Sequence, residues 1–163
     1  FEPWITPSDE NQWVLTLDAC VDTDPNHQNY PGYFFRDLSK NSRIVLVIGG
    51  TKAIKEARTK TKLTELLNNL KDKNQVRIIE TEKVDECEQR LERRIIEVVG
   101  DIPKECDDLH IFALANVSNC LLVISRDNRM AVCRNNIRNK IGHQNCPNIS
   151  VIQNETAYNS TKR

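Results

Sequence analysis

Five short apolar runs punctuate the chain: Trp13 to Leu17 (WVLTL), Arg43 to Ile48 (RIVLVI), Val76 to Ile79 (VRII), Leu121 to Ile124 (LLVI) and Ile149 to Ile152 (ISVI). Most are continuous rather than alternating, the pattern of strands covered on both faces, and so predict a parallel sheet. The stretches between them repeat apolar residues every three or four positions. In Val84, Cys87, Leu91, Ile95 and Val98 this spacing makes one helical stripe, leaving Glu86, Arg90, Arg93 and Arg94 to solvent until Gly100 ends the helix. Tyr30 to Ser39, Thr51 to Leu70, Asp107 to Asn116 and Asn128 to Lys140 read as further helices. Strand and helix in alternation predict a three-layer α/β sandwich around a central five-stranded sheet. Residues 1–12 read as a lead-in, 13–153 as the domain, and 154–163 as a polar, frayed or linker-like tail.

Charge and composition narrow the class. The 163 residues carry 23 basic and 23 acidic side chains, so bulk positive charge is no basis for nucleic-acid binding. The longest apolar runs, Ile44 to Ile48 and Cys120 to Ile124 among them, are five residues each, against roughly 18 for a membrane span, so no membrane association is expected. A chain that begins at Phe1 reads as trimmed or processed, and its start lacks the basic and apolar segments of a secretory signal. The six cysteines are widely spread with no C-x2-C or C-x4-C interval. Reduced thiols in a cytoplasmic protein are the expectation.

In a parallel sheet, chemistry gathers at the carboxyl edge, where the strand order reverses. The first run ends in Asp18 and the fourth in Ser125-Arg126-Asp127. The helix leading into the fourth opens with Asp107-Asp108, and the second run turns through Gly49-Gly50-Thr51-Lys52 into a helix carrying Glu56. Glu65 lies on the same predicted helix, roughly 13 Å farther along the axis, which favours Glu56. Neighbouring first and fourth strands would therefore gather Asp18, Asp108, Asp127 and Glu56. Two unit charges about 5 Å apart repel by roughly 3 kcal/mol at an effective dielectric of 20, so such a group calls for a cation. Oxygen donors without His or Cys suit Mg²⁺ or Mn²⁺, ions that serve phosphate-ester chemistry.

Other residues take supporting or structural roles. Asp107 reads as the cap of the Asp108 helix, Asn128 as a cap or an additional polar contact, and Ser125 and Asp22 as supports behind the metal ligands. His110 reads as a packed, hydrogen-bonded histidine, with substrate contact the alternative. Cys133, His143 and Cys146 lack a fourth partner for zinc. The Gly49 to Lys52 turn lacks the frame of a nucleotide-binding loop. Lys52 to Lys62 and Arg126 to Lys140 each carry five basic residues against one acid. Lys52, Lys55, Arg126 and Arg129 would thus flank the acidic crevice and grip a phosphate backbone. Tyr30, Tyr33, Phe34 and Phe35 read as core, with base stacking the alternative.

Four pieces in order, L-D-A-C-V at 17 to 21, Glu56, D-L-H-I-F-A-L-A at 108 to 115 and V-I-S-R-D at 123 to 127, resemble the PIN domain, a metal-dependent nuclease family. The resemblance covers about residues 13 to 153. It implies strand order 3-2-1-4-5, with Asp18, Glu56, Asp108 and Asp127 as catalytic metal ligands for Mg²⁺ or Mn²⁺. It also implies hydrolysis of RNA, DNA being less favoured, to products with 5′-phosphate and 3′-hydroxyl ends. An antitoxin, a complex subunit or a second copy would be the protein partner. The chain departs from the family at Cys20, Phe112 and Ala57. A non-catalytic docking module is the rival. A phosphatase of the haloacid dehalogenase type is disfavoured, because Asp18-Ala19-Cys20 has no acid at its third place.

Overall fold

The apolar runs form strands β1 (Trp13–Leu17), β2 (Ile44–Gly49), β3 (Val76–Ile79), β4 (Leu122–Ile124) and β5 (Ser150–Ile152). Around them lie helices α1 (Gly32–Lys40), α2 (Thr51–Arg58), α3 (Thr61–Asp72), α4 (Thr81–Val99), α5 (Leu109–Ser118), α6 (Asn128–Ile141) and α7 (Glu155–Thr161). The computed structural model describes residues 13–18, 26, 28, 30–120, 122–142 and 149–161; Cys20, Asp22, His143 and Cys146 lie outside them. All strand pairs are parallel, in the order β3-β2-β1-β4-β5. Both faces of the sheet are covered, which is why its strands read as largely apolar runs.

Alternate strand residues point to opposite layers. Leu15, Ile44, Leu46, Val76, Ile124 and Ile152 pack with Phe34 and Leu38 of α1, Leu70 of α3 and Tyr158 of α7. On the other face, Val123 packs with α5 and with Met130, Cys133, Ile137 and Ile141 of α6, while Val47 and Ile79 meet Val84, Ala113 and Leu114. Phe34 of the aromatic cluster is fully buried. Gly100 ends α4 in the left-handed conformation at φ 98°, donating its N–H to the Ile96 carbonyl at 2.9 Å, the expected glycine stop.

The structure corrects four expectations. The helix expected over Thr51 to Leu70 is broken between α2 and α3, where Lys60 is extended. Threonine hydroxyls end α2 by donating to backbone oxygens that would otherwise continue it: Thr59 to Glu56 at 2.8 Å and Thr64 to Ala57 at 2.9 Å. The tail expected to fray instead forms α7. Its Tyr158 is buried against Trp13, Tyr33 and Phe34, and donates its hydroxyl hydrogen to Asp37 at 3.1 Å. Val98 is 44% exposed, while Glu88 joins the buried stripe of α4. Finally, Cys106 and Cys133 form a disulfide. The cytoplasmic reading rested on reduced thiols and loses that support. Cys87 and Cys120 are free and buried. Among the described residues, no helix is long and apolar enough to cross a membrane.

Candidate metal centre

Asp18 directly follows β1 at the point where the strand order reverses. Its backbone N–H donates to the Ile124 carbonyl at 2.9 Å, continuing the pairing with β4. The side chain is only 4% exposed, and a carboxylate so buried needs donors. Ser125 provides one, its Oγ donating to Asp18 Oδ2 at 2.7 Å, and the same hydroxyl accepts the Asp127 N–H at 3.0 Å. Ser125 therefore locks the ends of β1 and β4 in register and orients both acids.

Asp127 caps α6, accepting the Arg129 N–H at 2.9 Å. Asp108, rather than Asp107, occupies the cap position of α5, yet its side chain makes no capping bond there. Helix α5 is apolar around most of its circumference and almost wholly buried, so packing alone fixes where it begins. Asp108 is thus presented to the crevice without being consumed by the helix.

One oxygen each from Asp18, Asp108 and Asp127 lies within 4.8 Å of the other two. The Asp108 carboxyl is pushed up to about 6 from its ordinary 3.8, first by burial and then by the charges of Asp18, Asp107, Glu56 and Asp127. Crowded oxygen donors with excess negative charge fit a hard divalent cation. An acidic group of this kind is not specific to one metal or one chemistry.

Glu56 does not join the three-oxygen group. It sits half-buried on α2, its charge reaching Asp108, with Oε2 at 3.7 Å from His110 Nε2. The glycine turn before α2 sets that position. A β-carbon on Gly49 would come within 2.8 Å of the Ile79 carbonyl oxygen; on Gly50, held at φ 92°, it would lie 2.7 Å from Val84 Cγ1. Only glycines let the chain turn this close to β3 and α4. The amino end of α2 is already occupied: Thr51 donates its backbone N–H at 2.9 Å, and its hydroxyl, to the Asp85 carboxylate. A protein carboxylate stands where a phosphate would bind.

The expected basic walls are partly spent within the fold. Lys52 contacts buried Glu88 at 2.5 Å and Glu92 at 3.9 Å. Arg129 grips Asp127 through Nε to Oδ1 at 3.2 Å and Nη2 to Oδ2 at 3.1 Å, with Nη1 at 3.2 Å from Asp107. These bonds hold the Asp127 carboxyl below the usual carboxylate range. Arg134 donates to the Ile149 carbonyl at 2.7 Å. Lys55 and Arg126 are exposed, and the charge of Arg126 acts on nearby Tyr33. Asn128 is no cap; its side chain accepts from Gln153 at 2.7 Å. Cys133, in the disulfide, is not available to zinc.

Two contacts go beyond the sequence expectations. An Arg two residues after a capping Asp is a local signal for the Arg129 grip. The Glu56–His110 approach joins α2 to α5 and has no local signal. His110 is also not the hydrogen-bonded core histidine expected, since neither ring nitrogen has a partner among the described residues. No protein-family model, curated protein or solved structure matches this chain.

Proposed function

We propose that the chain is a metal-dependent endonuclease of PIN type that hydrolyses phosphodiester bonds in RNA. The observation that carries this reading is the convergence of Asp18, Asp108 and Asp127, from three separate elements, at the reversal point of the sheet. Mg²⁺ or Mn²⁺ held there would supply an activated water and stabilise charge on the phosphoryl oxygens. Asp18, Asp108 and Asp127 would be the ligands, and Glu56, outside their group, would orient the attacking water at the crevice rim. Ser125 holds Asp18 in its binding orientation. Lys55 and Arg126, exposed on either side, would draw in the phosphate backbone, a salt-sensitive contribution. RNA is preferred through the family resemblance alone.

The Arg129 grip favours a second reading, a docking module, because it neutralises Asp127 without any metal. Cleavage of labelled single-stranded RNA and DNA with Mn²⁺ separates the two. A nuclease cuts RNA, and Asp108→Asn loses the activity at least about a hundredfold. Absence of cleavage, or cleavage unchanged in Asp108→Asn, favours the docking module.

A further inference from the structure

Because the chain is extended at Lys60, α2 and α3 are separate helices, α2 packing on β2 and α3 on β3. Between them lies a groove of about 250 Å³. Ile48, Ile54, Leu67 and Ile78, all half-buried, form its apolar walls, and the exposed side chains of Arg58 and Asn68 complete the lining. Apolar walls with a few polar groups are the make-up of a ligand site. The volume falls below the roughly 300–1,000 Å³ of sites for drug-sized ligands, so one ring system fills it and a helix does not enter. The groove adjoins the crevice, since the narrower pocket lined by Glu56 shares Ile48, Ala57 and Leu67 with it.

Charge selects the occupant. Residues 51–72, which form both helices, carry six basic side chains against three acidic ones. Lys52 is taken by Glu88, but Lys55, Arg58 and Lys62 are exposed and form no ion pair among the described residues. Uncompensated positive charge beside an apolar groove fits a polyanion that also carries flat rings, which describes single-stranded nucleic acid. We propose that the α2–α3 groove is a base-binding subsite for single-stranded RNA. One nucleobase lies among Ile54, Leu67 and Ile78, the Asn68 amide, with both donor and acceptor, bonds its edge, and Arg58 and Lys55 hold the flanking phosphates. The inference rests on the nuclease reading for the kind of strand and adds where, beyond the carboxylates, that strand is held.

Fluorescence anisotropy of labelled single-stranded RNA with the full chain reads the subsite, every protein carrying Asp108→Asn so that the strand stays whole. One abasic nucleotide is walked along the RNA. At one position it should weaken binding at least about fivefold. Asn68→Ala should weaken binding of intact RNA by about the same factor and lose nothing more to the abasic strand. Arg58→Ala should weaken all strands alike and lower the salt slope by about one. Both side chains are exposed, so the variants fold. Abasic strands that bind like intact RNA at every position, or a missing base still felt in Asn68→Ala, overturn the subsite; cleavage lost only in Asp108→Asn would then leave the nuclease reading standing. Groove-dependent binding without cleavage by the parent protein keeps the subsite and removes the nuclease. RNA binding that ignores both substitutions, while a peptide of alternating Glu and Leu binds and is lost in them, assigns the groove to a protein partner and overturns the proposal. If RNA neither binds nor is cut, both readings fall.

Discussion

Asp108 carries a cost that a metal would relieve. Its carboxyl titrates near 6 in the folded chain against 3.8 ordinarily, so between those values the native state binds more protons than the unfolded one. The stability it contributes is complete below about pH 4 and is lost as pH rises through 6. Asp108→Asn should therefore raise the melting temperature of the metal-free protein at pH 7.5 by roughly 2–4 °C and leave it nearly unchanged at pH 4. Calorimetry at the two pH values checks this, and equal shifts at both would count against the crowding of charge. Arg129 acts in the opposite sense. Its guanidinium neutralises Asp127, so a divalent ion must compete with it. Titration calorimetry of Arg129→Met should show Mn²⁺ binding about two- to fivefold tighter. Weaker binding would mean that the arginine supports the site by orienting Asp127.

The elements were legible in the sequence to the extent that their signals were local. All five strands fall where the short apolar runs mark them, because burial on both faces leaves polar residues few places. The carboxylates at strand and helix ends could be read for the same reason: Asp18 and Asp127 follow their strands, and Asp108 starts its helix. What the sequence did not show depends on partners distant along the chain. Nothing near Thr59 announces a break, since no glycine or proline is there and the threonine hydroxyls act only once the fold brings them to α2 carbonyls. Likewise α7 is a polar stretch anchored by one aromatic ring. Tyr158 is fully buried, with three rings around it. Tyr158→Ala should cost about 3–4 kcal/mol, measured by urea unfolding. A linker-like tail would lose nothing.

Across the whole molecule, the site is assembled by topology and tied by a covalent link. The β3-β2-β1-β4-β5 order brings the ends of β1 and β4 together, although more than a hundred residues separate Asp18 from Asp127. The Cys106–Cys133 bridge spans 27 residues and ties the segment just before Asp108 to the helix that Asp127 caps. Spacing alone does not reveal that pairing, since the two cysteines meet only when α6 packs beside the start of α5. Closing a loop of this length contributes about 3–4 kcal/mol through the unfolded state. The Cys106→Ala/Cys133→Ala protein should unfold at correspondingly lower urea concentration, and an unchanged midpoint would show that the bridge adds no net stability.

The central claim is that Asp18, Asp108 and Asp127 act together on one hard cation. Anomalous diffraction from crystals grown with Mn²⁺ tests it most directly. The account predicts a peak within about 2.3 Å of an oxygen from each of the three. A map with no peak among these carboxylates, while Arg129 keeps its grip on Asp127, would contradict it.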